Sequence, residues 1–161
     1  MKKIVIFGNS GSGKSTLAKR LSERHKLRHL DLDILAWEKD RPMKRRSLKE
    51  SSSEIETFMR SNHSWVIDGC YSSLLQIAMS ECGEIIFLNP GEEVCLSNCN
   101  NRPWEPHKYA SPEAQNDNLE MLLNWVRQYS KRTDEFSLES HQALFNGFIG
   151  KKIEYQSNQK G

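Results

Sequence analysis

No run in these 161 residues is long and apolar enough to cross a membrane. The first apolar stretch, KKIVIF at residues 2–7, is far too short for a transmembrane or secretory segment, and a polar loop follows it at once. Neither export nor a membrane partner is expected, and the cytoplasm is the expected compartment. Cysteine is scarce too. The four, at positions 70, 82, 95 and 99, do not form the dense framework that staples small secreted domains, so they read as free thiols. Cys95, Cys99 and His107 can be drawn as zinc ligands, but a Cys-x3-Cys pair on a helix with one distant histidine is an incomplete set. An excess of one charge is also missing. Lys and Arg total 23 against 21 Asp and Glu, the formal net charge is +2, and the signs are interspersed, so no nucleic-acid partner is expected. There is no internal repeat, and low complexity is confined to Ser51–Ser53. With no long apolar stripe left over for a second subunit, a monomer is expected. The length suits one compact domain over 1–156, with a disordered tail at 157–161.

What is present begins almost at the N-terminus. GNSGSGKST, residues 8–16, fits the phosphate-binding pattern GxxxxGK[ST] without a mismatch. Glycines at 8, 11 and 13 let successive backbone N–H groups turn inward around an anion. Lys14 adds a charge for the outer phosphates, Ser15 a hydroxyl for Mg²⁺, and the helix that follows aims its positive end at the same place. The expected phosphate-binding set is Gly8, Asn9, Ser10, Gly11, Ser12, Gly13, Lys14, Ser15 and Thr16. The flanks agree: KKIVIF reads as a buried strand, and Leu17, Ala18, Leu21 and His25 recur at helical spacing.

Strand and helix signals then alternate. Strands are expected near 28–31, at WVID (65–68) and at EIIFLN (84–89), with helices at SLKESSSEIETFMR and SSLLQIAM. Ser111 followed by Pro112 starts a helix whose face carries Leu119, Leu122, Leu123, Val126 and Tyr129. A last helix lies in FSLESHQALFNGF, and KKIEY makes a short final strand. The order implies an α/β three-layer P-loop NTPase fold: a five-stranded, mostly parallel sheet with helices on both faces, and a lid at about residues 100–113. The basic run KDRPMKRRSLK, residues 39–49, reads as a solvated loop and helix start in preference to a phosphate or carboxylate clamp.

Ligands in open parallel sheets sit at the carboxyl ends of the strands, where three acidic candidates fall. Asp31 and Asp33 are two apart, so on an extended segment both point the same way, as a shared Mg²⁺ and hydroxyl site needs; the alternative is capping of the strand end or pairing with Arg28. Asp68 ends WVID as a Walker-B-like carboxylate within reach of Mg²⁺, or else caps a turn. Gly69 lets a substrate approach the backbone. Tyr71 and Trp37 are candidates for lining an acceptor site or for packing. Arg102, in the loop after the fourth strand's helix, is placed to meet a transferring phosphoryl group, ahead of Arg127, Lys131 and Arg132, whose default is a solvated surface. Trp104 and Tyr109 fold that loop down or pack it.

Taken together, GNSGSGKST, LDLD, WVIDG and the RPWEPHKY loop resemble the small P-loop kinases of the adenylate kinase and shikimate kinase type. The branch nearest in character is one of small uncharacterised bacterial proteins, sometimes labelled DNA topology modulation proteins. DLD is similar to the DxD of shikimate kinases, which implies Asp31 near Mg²⁺ and Asp33 on an acceptor hydroxyl. VIDG resembles the strand end before the monophosphate site of adenylate kinases, and Arg102–Pro103 the start of the shikimate kinase lid. Two departures bear on the acceptor. Cys70, Tyr71 and Ser72 stand where adenylate kinases have an aromatic, Pro and Arg, and the glycine triplet and Arg-rich lid of shikimate kinases are not intact. The resemblance implies ATP- and Mg²⁺-dependent phosphoryl transfer to a small hydroxyl-bearing metabolite, with Lys14, Asp33 and Arg102 catalytic, Ser15, Asp31 and Asp68 on the metal, and Asp33, Trp37, Gly69 and Tyr71 on the acceptor. Adenine is expected against the lid side and the GFIGKKIEY segment. A nucleotide-binding regulatory module with slow ATP hydrolysis, a nucleoside or nucleotide kinase, and a nucleic-acid binder remain as alternatives.

Overall fold

A computed structural model describes residues 1–38 and 44–158. The tip of the basic run, 39–43, and the last three residues of the expected tail, 159–161, lie outside the described residues. In chain order the elements are β1 (Lys3–Gly8), α1 (Lys14–His25), β2 (Arg28–Asp31), α2 (Asp33–Ala36), α3 (Leu48–Ser61), β3 (Trp65–Gly69), α4 (Ser72–Met79), β4 (Glu84–Leu88), α5 (Glu92–Asn100), α6 (Pro112–Arg127), α7 (Leu138–Gly147) and β5 (Lys151–Tyr155). The sheet runs in the order β2-β3-β1-β4-β5. Every pairing is parallel, so the sheet is wholly rather than mostly parallel.

The central strand explains the layers. β1 is apolar without alternation because both of its faces are covered. Ile4 and Ile6 meet Leu17 and Ala18 of α1 on one side, together with Val66, Ile86 and Leu88. Val5 and Phe7 look the other way, into a larger core with Ile55 and Met59 of α3, Leu74, Leu75 and Ala78 of α4, and Leu144 of α7. Phe7 stacks on Phe87 of β4, ring centroids 5.1 Å apart. Leu123 and Val126 of α6 clamp Cys95 and Cys99 of α5 in a third, smaller cluster behind the phosphate loop.

A polar post stands inside the larger core. His141, fully buried, contacts the Cys70 carbonyl through Nε2 at 2.8 Å and the Tyr129 hydroxyl through Nδ1 at 2.7 Å. A carbonyl only accepts, so Nε2 donates and Nδ1 accepts from Tyr129. Burial lowers this imidazole's pKa to about 4, which keeps it neutral.

Local rules hold at the helix starts. Ser47, Ser111 and Ser137 each cap the helix that follows, accepting from Glu50, Ala114 and Ser140 N–H respectively. The expectation of an extended DLD segment is corrected. Asp31 Oδ1 accepts from the Asp33 N–H at 2.9 Å, and Leu35 and Ala36 N–H bond back to the Leu32 carbonyl, so the chain turns into α2 at once. Fully buried Leu32 drives that turn, its side chain filling the space that a Cβ on Gly69 would need, at 2.8 Å. The freedom of Gly69 therefore serves packing against Leu32. Of the expected tail, Asn158 is placed: it exchanges side-chain amide bonds with Asn98 of α5 at 3.2 and 3.4 Å.

Candidate active site

The turn between β1 and α1 is held from behind by side chains and at its own base. Asn9 Nδ2 donates to the Val126 carbonyl at 3.2 Å, and Asn98 Nδ2 donates to the Gly11 carbonyl at 2.8 Å. Asn9 Oδ1 takes the Ser10 N–H at 2.8 Å, and Lys14 Nζ bends back onto the Asn9 carbonyl at 2.8 Å. Gly11 and Gly13 have φ of +79° and +98°. At Gly11 a side chain would collide with the Cys95 carbonyl and with Cys99 Sγ at 2.7 Å, whereas at Gly13 it would meet nothing. The loop thus rests its back on α5 and opens its front.

A cavity of about 470 Å³ lies in front. The phosphate loop and Lys19 line one side, Asp31, Asp33, Asp68, Gly69 and Cys70 the floor, and Asn98, Asn101, Arg102, Pro103, Glu105, Lys108 and Asn158 the far side. Parallel register puts Asp31 beside Asp68 at the ends of β2 and β3. Ser15 Oγ donates to Asp68 Oδ2 at 3.3 Å, and His29 Nε2 contacts Asp68 Oδ1 at 2.6 Å. Burial opposes protonation of His29, but the hydrogen bond to Asp68 and the charges of Asp68 and Asp31 outweigh it and raise its pKa. Asp31 is pushed up to about 6, first by burial and then by repulsion from Asp68 and Asp33. One hydroxyl and two crowded carboxylates make an all-oxygen set of the kind Mg²⁺ takes, so these residues fit that ion.

Asp33 sits in a different environment. Its Oδ1 accepts from the Tyr71 hydroxyl at 2.6 Å and its Oδ2 from Lys108 Nζ at 2.9 Å. Burial would raise its pKa, but the Lys108 charge, these two bonds and the Lys14 charge hold it below the usual carboxylate range. Asp31 and Glu105 approach the same ammonium at 3.6 and 3.3 Å. Burial would lower the Lys108 pKa, yet the three carboxylates raise it.

The remaining sequence candidates divide. Tyr71 and Trp37 do not line the cavity: Tyr71 is 4% exposed and holds Asp33 from the core side, and Trp37 Nε1 donates to the Tyr71 hydroxyl at 3.0 Å. In this structure both rings stand in a hydrogen-bonded chain behind Asp33, which is the packing alternative of the sequence reading. Arg45 of the basic run covers the Tyr71 ring at 4.8 Å and pairs with Glu135 at 3.6 Å. Arg102 lines the cavity with its Nε on Glu105 at 3.1 Å. Arg127 bonds Asn124, and Arg132 forks onto Asp134 over the Trp125 ring, both away from the cavity. Lys131 does not line it either. Trp104 Nε1 bonds the Tyr109 carbonyl at 3.1 Å, folding the lid on itself. His107 leans on Glu105 at 3.6 Å, while Cys95 and Cys99 are buried between α5 and α6.

Sequence reasoning missed Lys108 and His29. Lys108 carried a signal in its i, i+3 relation to Glu105, and His29 in its period-2 relation to Asp31 on one strand.

Comparisons with known proteins find the following similarities. Among curated proteins, the uncharacterised protein YqaC of Bacillus subtilis (strain 168) is 26% identical over 130 residues, which span 80% of this chain and 72% of that protein. Among solved structures, a sugar kinase from Janibacter sp. HTCC2649 superposes with a TM-score of 0.52 at 13% identity, covering 96% of this chain and 84% of that one. An uncharacterised protein from Eubacterium ventriosum ATCC 27560 gives a TM-score of 0.48 at 15% identity, covering 96% and 88%. Residues 4–123, from β1 into α6, match the family described as AAA domain, and the chain belongs to that family.

Proposed function

We propose that the protein is a cytoplasmic, monomeric small-molecule kinase that moves the γ-phosphoryl group of ATP, with Mg²⁺, onto a hydroxyl of a small acceptor. One observation carries the reading: the phosphate loop, a carboxylate set suited to Mg²⁺ and a separate low-pKa carboxylate, Asp33, all open into one cavity. A site that only held or slowly hydrolysed ATP has no need of the second carboxylate environment. Lys14 and the loop amides hold the β- and γ-phosphates, and the positive end of α1 adds to them. Ser15, Asp31 and Asp68 would hold the metal, which would offset charge on the transferring group. Asp33 accepts the acceptor's hydroxyl proton as that oxygen bonds to Pγ. The bond from Pγ to the β,γ-bridging oxygen breaks and ADP leaves with the electron pair. His29 and Tyr71 fix the two carboxylates. Adenine would lie on the lid side, toward Asn98, Arg102 and Asn158; the GFIGKKIEY segment, its other expected neighbour, does not line the cavity.

The acceptor is read as a hydroxyl compound without a mononucleotide's phosphate, since Ser72, buried and donating to the Glu135 carbonyl at 2.6 Å, stands where adenylate kinases place a phosphate-binding arginine. A sugar kinase shares the fold, so sugars belong among the compounds to try. The test is coupled ADP release over sugars, polyols, shikimate, gluconate, nucleosides and nucleoside monophosphates, with Lys14→Ala as control. Strong stimulation by one acceptor class supports the kinase. Tight ATP binding with no stimulation by any of them would overturn it in favour of a regulatory nucleotide-binding module, and salt-sensitive DNA binding would point to a nucleic-acid partner.

A further inference from the structure

We propose that Lys108 is a counter-ion shared between Asp33 and the γ-phosphate of bound ATP, so that Asp33 is withheld from the acceptor until the nucleotide is in place. This rests on the kinase reading above. Tyr71 approaches Asp33 Oδ1 from the core, which leaves Oδ2 as the oxygen turned to the cavity, and Lys108 Nζ covers that oxygen at 2.9 Å. An acceptor hydroxyl that reaches this oxygen meets a carboxylate whose charge is already compensated by the ammonium group, which makes it a poorer proton acceptor. The base is held in check by a residue of the lid.

The same geometry says what releases it. Lys108 lies on the segment between α5 and α6 and lines one cavity with Lys14 and the phosphate loop. Its flexible four-carbon stem lets the ammonium re-aim by rotation about side-chain bonds. A γ-phosphate carries more negative charge than Asp33 and offers more acceptor oxygens, so it draws the ammonium off the carboxylate. ADP, lacking that group, leaves Lys108 where it is. Arg102 is the poorer candidate for this exchange, because it touches neither aspartate and is tied to Glu105 at 3.1 Å. It instead fixes Glu105, which steadies Lys108 at 3.3 Å. Acceptor binding therefore follows ATP binding, and the site tells ATP from ADP before chemistry begins.

Calorimetric titration with Mg²⁺ and either ADP or a non-hydrolysable ATP analogue tests this without knowledge of the acceptor. Lys108→Ala should weaken the analogue about tenfold and leave ADP within about twofold, the scale of one lost charge-assisted hydrogen bond. Lys108→Arg should restore most of that loss. Asp33→Asn should tighten the analogue several-fold, since Lys108 no longer has to leave a carboxylate. The deciding measurement is Lys108→Ala placed in the Asp33→Asn background. A loss that persists there means direct contact with the γ-phosphate. A loss that vanishes means Lys108 only screens Asp33, and the proposal fails. Equal weakening of both nucleotides also overturns it, with circular dichroism melts checking that each variant is folded. If the unaltered protein binds neither nucleotide, the kinase reading fails as well.

Discussion

The two walls of the cavity are built in opposite ways. The phosphate-loop wall is pinned by neutral amide side chains on main-chain carbonyls and shaped by glycines: Asn9 Nδ2 holds the Val126 carbonyl, Asn98 Nδ2 the Gly11 carbonyl, and the loop's back presses on α5. The carboxylate wall is held mainly by ionic and hydroxyl side chains, through Trp37 to Tyr71 to Asp33 and through Lys108 to Asp33, Asp31 and Glu105, with Asp31 also taking the Asp33 N–H. The glycine turn packed against α5 fixes the loop's shape, whereas ion pairs can exchange partners by rotation of a side chain. Such a division suits a site whose donor end must be ready before substrate arrives and whose acceptor end must respond to it.

Substitutions can try to break that contrast. The largest effect is expected from Lys14→Ala, which should lower turnover to background and weaken ATP by more than about tenfold, as the point charge on the outer phosphates is lost. Asp33→Asn should lower kcat by about 10² to 10⁴, the usual contribution of a positioned base, while ATP binding is not weakened and tightens several-fold. Steady-state rates beside direct titration separate the two. If Asp33→Asn abolished ATP binding too, the walls would not be independent.

How much of this could be read from the chain follows the same division. The phosphate loop, β1, β3, β4 and the Ser111 cap depend on neighbours within a few residues, and the pattern of Gly, β-branched residues and Ser-Pro displayed them. Asp31 and Asp68 were legible because strand ends in a parallel sheet line up. The partner of Asp33 was not, since Lys108 is 75 residues away in sequence and reaches it only once the lid has folded over. The turn at Leu32 escaped for a related reason. Nothing within LDLD shows that Leu32 will drop into the space left by Gly69 on another strand.

The next expected effects are on stability. Gly11→Ala puts a side chain at φ +79° against the Cys95 carbonyl and Cys99, and should cost about 2–4 kcal/mol by urea denaturation with a loss of ATP binding. His141 should make stability fall with acid. Its pKa is about 4 when folded against 6.5 for the free side chain, so the unfolded chain takes up a proton that the folded chain refuses. The contribution is therefore complete above pH 6.5 and is lost as pH falls through 4, by about 3 kcal/mol between pH 7 and pH 4. Comparison with His141→Phe at both pH values isolates it. The difference between the two proteins should shift with pH by that amount, and a constant difference would show that the imidazole does not titrate on unfolding.

The smallest effect tests whether the walls are mechanically joined. α6 touches both: Ser111 caps it where the lid ends, accepting the Ala114 N–H at 3.1 Å, and Val126 near its other end holds Asn9 of the phosphate loop. Ser111→Ala should cost about 1 kcal/mol, the usual price of a lost cap, read as a small drop in denaturation midpoint. The loss is confined to the first turn, next to the lid, and the last turn should keep its hold on Asn9. ATP affinity is then unchanged, while proteolysis between Arg102 and Ser111 quickens. A fall in ATP affinity equal to the fall in stability would instead make α6 a rigid lever, and the carboxylate wall would then reposition the phosphate loop whenever the lid moves.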